Sequence, residues 1–345
     1  MRPPKPSYVD ELQSRLIRIW EAMLGLQGIG VRDSFWDLGG TSFTAVRMLR
    51  RIEEDLGKSL PLATMLQVST IEELANVLRG SGWQPAWSSL AAVQPSGSRP
   101  PFFLVHGISG MIIGFRHFAP HFRPDQPLYG LQALGIDGSR PALSRIEDMA
   151  AHYIAEIRRL QPQGPYYLAG ICFGGWVAYE MAQQLSTAGE DVAFLGLLGT
   201  HRVHCTNRAL ARKLLRNPVK SIPQILRKSV VWTKEARENI GEFFLPRHLK
   251  RVRAGLNAAA CAYRPRPYSS KITLFAAGRQ SLRDCNDPAS VWSDLAVGGL
   301  DVNTIDGDHN TMFVEPELSV LAHQLKRRLE TAQQESVRQP AALSA

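Results

Sequence analysis

The chain is expected to fold as two units: a small all-helical bundle, then a larger α/β domain on a mostly parallel sheet. Three observations predict this. Residues 8–80 place apolar side chains at helical spacing. From Pro101 onward, short apolar runs alternate with amphipathic stretches, which is the βαβ rhythm of a parallel sheet. Residues 81–100 between them are rich in Ser, Pro and Gly, as linkers are. The expected boundaries are a bundle at 8–80, a linker at 81–100, an α/β domain at 101–330 and a disordered tail at 331–345.

Composition narrows the function classes. A length of 345 residues suits two domains. No run nears the roughly 18 apolar residues of a membrane span. The start, Met1-Arg2-Pro3-Pro4-Lys5-Pro6, is basic but no apolar core follows, so it does not read as a secretory signal. Cys172, Cys205, Cys261 and Cys285 lack metal-like spacing. The expected setting is a reducing cytoplasm, with Cys172 kept as a thiol. The net charge of +9 raises the question of nucleic acid. Its excess lies in 201–264, with fifteen basic residues against three acidic. No nucleic-acid fold motif accompanies that charge. It reads equally as a solvated helical face or as a docking surface for an acidic partner.

In the bundle, Leu12, Leu16, Ile19, Trp20, Met23 and Leu24 mark a first helix. A Gly-rich loop covers Gly25 to Gly40. A second helix begins near Ser42, carrying Phe43, Val46, Leu49 and Ile52. Thr70-Ile71-Glu72-Glu73 opens a last helix with a capping box. The stretch Phe35-Trp36-Asp37-Leu38-Gly39-Gly40-Thr41-Ser42 resembles the attachment motif of peptidyl and acyl carrier domains of assembly-line synthases. Ile29-Gly30-Val31, Leu60-Pro61-Leu62 and Thr70 to Ala75 extend the resemblance over about 70 residues. It implies a four-helix carrier bundle whose Ser42 bears 4'-phosphopantetheine, attached by a phosphopantetheinyl transferase. A phosphodiester at a helix N-terminus meets unpaired N–H groups and a favourable dipole. The bland alternative makes Ser42 simply the helix N-cap. Thr41, where many fatty-acid and polyketide carriers have aspartate, leans toward the peptidyl type.

In the α/β domain, strands are expected at Phe102–Val105, Leu128–Leu131, Tyr166–Ala169, Val192–Leu198, Lys271–Ala277 and Val302–Ile305. Helices are expected at Met149–Leu160, after Cys172, and from about Glu315 to Leu329. The segment 201–264, punctuated by Pro218, Pro223 and Pro246, reads as a helical lid. The central stretch is Tyr166 to Gly175. An apolar strand enters Gly170-Ile171-Cys172-Phe173-Gly174 and leaves as a helix. That is a nucleophile-elbow pattern, with Cys172 as the nucleophile at a helix N-terminus that favours its thiolate. A buried structural cysteine is the competing reading.

Residues 100 to 330 resemble the type I thioesterase domains of nonribosomal peptide and polyketide synthases, within the α/β-hydrolase fold. The resemblance rests on His106-Gly107, the Gly-x-Cys-x-Gly elbow, Ala262-Tyr263-Arg264-Pro265 with the following Lys271 to Leu274, and Gly307-Asp308-His309. It implies His309 as general base and the amides of Ile108 and Phe173 as the oxyanion hole. Two departures stand out. Cysteine replaces the usual serine, so an acyl group on Cys172 stays an activated thioester. Gly199 stands where the family's acid commonly follows the strand after the elbow helix. Either the Cys–His pair works without a strong orienting acid, because a thiol ionises far more readily than a serine hydroxyl, or the acid comes from after the next strand, where Asp284 and, second, Asp287 lie.

The resemblances together imply an acyl or peptidyl thioester carried on phosphopantetheine and released, by hydrolysis or cyclisation, through a Cys–His acyl-enzyme. One alternative is an acyl or aminoacyl transferase shuttling groups between carrier proteins. Another is a non-catalytic carrier and docking platform. No adenylation, condensation or ketosynthase region is legible, so loading by synthase proteins in trans is expected, with other carrier domains as further partners. Neither metal, nucleic acid nor membrane is expected.

Overall fold

The computed structural model describes residues 10–80, 89–138, 140–201, 246–279 and 292–343, with side chains to 338. It divides into two compact units, residues 1–88 and 89–345.

The first unit holds α1 (Glu11–Leu24), α2 (Ser42–Leu56), α3 (Thr64–Gln67) and α4 (Ile71–Arg79). Asp10 and Gln13 close a capping box on α1, and Thr70 and Glu73 close the one expected on α4. Leu16, Trp20, Phe35, Ile52 and Leu74 are fully buried. Trp20 meets Phe35 edge-on, ring centroids 5.1 Å apart. Gly40 is needed for this core: a Cβ there would lie 2.3 Å from the Phe35 ring. The one-turn α3 is too short to announce itself by periodicity.

The second unit is built on a seven-stranded sheet in the order β1-β3-β2-β4-β5-β6-β7. The strands are β1 (Leu90–Gln94), β2 (Phe102–Val105), β3 (Leu128–Leu131), β4 (Tyr166–Ile171), β5 (Val192–Leu198), β6 (Ile272–Ala277) and β7 (Leu300–Ile305). Only the edge strand β1 runs antiparallel, pairing with β3. The others pair in parallel, for example Phe102 with Tyr167 and Leu168 with Leu195. Among its described residues the α-helices are α5 (Ala119–Phe122), α6 (Ile146–Leu160), α7 (Phe173–Thr187), α8 (Arg247–Ala262) and α9 (Glu317–Leu343). β2 is buried at every position, as a central parallel strand covered on both faces must be. Apart from Gln184, Ser186 and Thr187, α7 is buried throughout, which suits its apolar sequence at the centre of the fold.

The structure corrects two boundaries. The stretch expected as linker contains β1: five residues between polar turns are too few to shift the composition of a twenty-residue window. The expected disordered tail is helical, because α9 runs on to Leu343. Its Ala332 and Gln333 are buried, and Gln333 donates to the Gln126 side chain at 2.8 Å. Of the expected lid, residues 202–245 lie outside the described residues. Its last part is α8, which buries Leu249, Val252, Leu256 and Ala259.

Candidate active site

In a parallel sheet, ligands meet the C-terminal strand ends where the order reverses. Here β2 lies between β3 and β4. The residues just beyond β2, β4, β5 and β7 are His106, Cys172, Gly199 to His201, and the turn containing His309.

Cys172 joins β4 to α7 with φ 52° and ψ −112°. It is the only non-glycine at positive φ among the described residues. Such a conformation costs on the order of 1–3 kcal/mol and persists only where its surroundings impose it. They do so here by crowding. A Cβ on Gly170 would lie 2.1 Å from the Gly174 carbonyl oxygen, one on Gly174 2.2 Å from that of His106, and one on Gly175 1.9 Å from Thr200 Oγ1. The elbow expected from the sequence is therefore built, and the half-exposed Cys172 side chain starts α7. Cys261 is disulfide-bonded, whereas Cys172 stands outside any disulfide.

His309 follows β7 in a turn held by Asp308, whose carboxylate accepts from the amides of Asn310 at 2.9 Å and Thr311 at 3.0 Å. The Thr311 amide is the main cause that holds this carboxyl below the usual range. Asp308 thus builds the turn that presents its neighbour. Ligand atoms of Cys172, His201 and His309 all lie within 4.8 Å of one another. The two residues expected as nucleophile and base are brought together.

His201 joins them unannounced. Its ring meets His309 edge-on, centroids 4.7 Å apart at 89°. The available signal was its place just past the end of a central parallel strand. Its backbone is pinned: Trp176 Nε1 donates to the His201 carbonyl at 3.0 Å, and Trp292 Nε1 to that of Thr200 at 3.2 Å. Gly199, where the acid was missed, takes φ +59°, and a Cβ there would stand 3.1 Å from His309 Nδ1. Asp284 and Asp287 lie outside the described residues.

Phe173 opens α7, so its amide precedes the first intrahelical acceptor. Gly107 sits beside the end of β4, its would-be Cβ 3.7 Å from the Ile171 carbonyl oxygen. Ile108 follows directly. Neither amide donates to an acceptor among the described residues. His106 braces this corner and is fully buried. A carbonyl can only accept, so Nδ1–H donates to Gly107 O at 2.6 Å; Nε2 then accepts from Tyr153 Oη at 2.7 Å. Burial lowers the His106 pKa to about 4 and keeps it neutral. Its ring stacks on Phe173, centroids 6.0 Å apart.

In the first unit, Thr41, not Ser42, is the N-cap of α2, accepting from the Thr44 amide at 3.2 Å. Ser42 is the first helical residue, half-exposed and relieved of capping. No acidic residue stands in the first turn of α2. The place fits a covalently attached phosphodiester, with the helix dipole in its favour.

Residues 100–328 match the family model "Thioesterase domain", which covers about two thirds of the chain. The chain belongs to the thioesterase domain family. Ahead of this thioesterase domain, residues 14–78 match the model "Phosphopantetheine attachment site", and the carrier unit takes covalent 4'-phosphopantetheine. Among relatives, malpinin synthetase of Mortierella alpina is 33% identical over 322 residues, 91% of this chain and 4% of that protein. The dimodular nonribosomal peptide synthase of Bacillus subtilis (strain 168) is 39% identical over 190 residues, 55% of this chain and 8% of that protein. The chain thus spans under a tenth of the length of these relatives. Among solved structures, holo-AB3403, a four-domain nonribosomal peptide synthetase bound to AMP and glycine, has a TM-score of 0.59 at 24% identity, covering 95% of this chain and 27% of that one. The NocB thioesterase domain has a TM-score of 0.51 at 25% identity, covering 70% of this chain and 99% of that one. The expected order, helical carrier then α/β-hydrolase thioesterase, holds. No helix among the described residues is long and apolar enough to cross a membrane.

Proposed function

We propose that this carrier–thioesterase chain takes part in nonribosomal peptide or polyketide biosynthesis, and that it releases an acyl or peptidyl thioester through a Cys172–His309 acyl-enzyme. The observation that carries this reading is the strained Cys172 at the start of α7, with His309 in reach of it. Phosphopantetheine on Ser42 would supply a thiol on a flexible tether, the form in which an acyl group is presented.

His309 takes the Cys172 proton, giving a thiolate–imidazolium pair. The thiolate attacks the acyl carbonyl carbon, and the amides of Ile108 and Phe173 receive the developing oxyanion. The tetrahedral centre collapses, the bond to the phosphopantetheine sulfur breaks, that thiol leaves with the proton from His309, and the acyl group rests on Cys172. His309 then deprotonates water, or a nucleophile within the acyl chain, to release acid or ring.

Gly199 favours a second reading, transfer to another carrier. The family's usual acid position carries no carboxylate here, since Gly199 stands there, next to His309. A Cys172 thioester lies close in energy to the thioester it came from, so loading is reversible and a thiol acceptor discharges it. The partners in either case are a phosphopantetheinyl transferase, the synthase proteins that load the carrier, and other carrier domains.

Intact-protein mass spectrometry tests both readings. Phosphopantetheinylated protein is loaded with an aminoacyl group, alongside Cys172→Ala and Ser42→Ala. An adduct on Cys172 that discharges as acid or ring supports release. An adduct that persists in water yet moves to an added carrier supports shuttling. If Cys172→Ala behaves as wild type while Ser42 still loads, the catalytic reading is lost.

A further inference from the structure

Cys172, His201 and His309 offer one sulfur and two imidazole nitrogens within 4.8 Å of one another. We propose that these three side chains form a site for a zinc-class divalent cation, and that its occupancy silences the thioesterase. The silencing rests on the reading of Cys172 as nucleophile; the binding does not.

Geometry comes first. Zinc bonds to sulfur at about 2.3 Å and to imidazole nitrogen at about 2.0–2.1 Å, so tetrahedral ligands stand roughly 3.5 Å apart. Side-chain adjustments of about 1 Å bring these donors to that spacing. The second observation is the state of His201. Its Nδ1 lies 3.2 Å from the Gly199 carbonyl oxygen. Since a carbonyl only accepts, Nδ1 carries the hydrogen and Nε2 keeps the lone pair. A histidine ring whose one nitrogen donates to a backbone carbonyl is the usual arrangement around a metal-bound histidine. The two indole hydrogen bonds to the Thr200 and His201 carbonyls hold that stretch of backbone in place.

Ligand chemistry selects the ion. A thiolate with two imidazoles suits Zn²⁺ and disfavours Mg²⁺ and Ca²⁺, which want oxygen. Three protein ligands leave a fourth position for water. All three residues are half-exposed, so the ion enters from solvent. On binding, the Cys172 thiol gives its proton to solvent and its sulfur lone pair to the metal. Cys172 and His309 are then unavailable for acyl transfer, and a chelator restores them.

The test uses the full chain carrying Ser42→Ala, so that no arm thiol competes. Zn²⁺ is titrated against a chromophoric chelator. The rate at which iodoacetamide alkylates Cys172 is read by peptide mass mapping, with and without Zn²⁺, and with Mg²⁺ in its place. The expected result is one Zn²⁺ per chain, slowing of Cys172 alkylation by on the order of tenfold, and no protection by Mg²⁺. His201→Asn and, separately, His309→Asn each weaken Zn²⁺ by on the order of tenfold or more. Circular dichroism identifies the variants that are folded. The proposal falls if the parent gains no protection, or if a folded His201→Asn or His309→Asn protein is protected at the parent's Zn²⁺ concentration. Neither readout needs an acyl donor. Zinc bound to a protein whose Cys172 takes no acyl group would sink the proposed function and leave the metal site standing.

Discussion

The buried His106 makes the thioesterase unit acid-sensitive by a predictable amount. Burial lowers its pKa from 6.5 to about 4. Unfolding returns the ring to water, where it takes a proton near pH 6.5. Between these values the unfolded chain binds one more proton than the folded one, so acid favours unfolding. The contribution of His106 is complete above the unfolded value and drains away as the pH falls toward the folded one. From about pH 7.5 to about pH 5, linkage gives a loss of about 2 kcal/mol from this one ring. Urea unfolding of the full chain at both pH values, for wild type and His106→Gln, measures it. The glutamine variant should be less stable at neutral pH, since it forfeits the hydrogen bonds to Gly107 and Tyr153. Its pH dependence should nevertheless be shallower by about 2 kcal/mol. Other histidines are common to both proteins and cancel. Equal pH dependence in the two proteins would refute a neutral, buried His106.

Further outcomes follow from the two motifs. Ser42→Ala should leave stability within about 0.5 kcal/mol of wild type while abolishing the phosphopantetheine mass increment, whereas Thr41→Ala should cost about 1 kcal/mol by removing the cap; thermal melts and intact mass check both. Cys172→Gly should raise stability by about 1 kcal/mol, because glycine tolerates the elbow conformation, yet lose acyl loading altogether; a less stable glycine variant would contradict the strain. Gly175→Ala should destabilise by about 1–3 kcal/mol through its collision with Thr200, and Thr200→Ala should recover part of that in the double variant, as a mutant cycle in urea would reveal. Tyr263→Phe should cost about 1–3 kcal/mol, because the Tyr263 hydroxyl donates at 2.7 Å to the buried Glu180; denaturation near neutral pH reads it.

Much of the fold was legible because its signals are local and repeated. The parallel strands β2 to β5 are apolar runs, and the elbow glycines sit at fixed offsets around Cys172. What escaped was short or depended on distant partners. β1 is five residues beside linker composition, and its reason to be a strand is β3, more than thirty residues away. The end of α9 looks polar and alanine-rich, and is tied down through Gln126, 207 positions earlier in the chain. At the candidate site, the motif and chain order singled out Cys172 and His309, which the fold brings close together. His201 was not, because a lone histidine past a strand carries no local pattern. Its significance comes from the turn after β7 being folded back against it. Thr41 as the cap of α2 was a closer miss: adjacent Thr and Ser are equally able to cap, and only the Thr41–Thr44 reciprocity separates them.

The indole rings of Trp176 and Trp292 stack with centroids 4.3 Å apart and an interplanar angle of 27°. Chromophores this close share their excitation, so the pair gives a coupled optical signal that isolated tryptophans do not. Each indole also donates to one of two consecutive carbonyls, Trp292 to that of Thr200 and Trp176 to that of His201. Any movement of that turn alters the mutual tilt of the rings, and with it the sign and size of the coupling. A shift of the Thr200–His201 backbone would therefore be readable, without a label, in the near-ultraviolet circular dichroism of this pair.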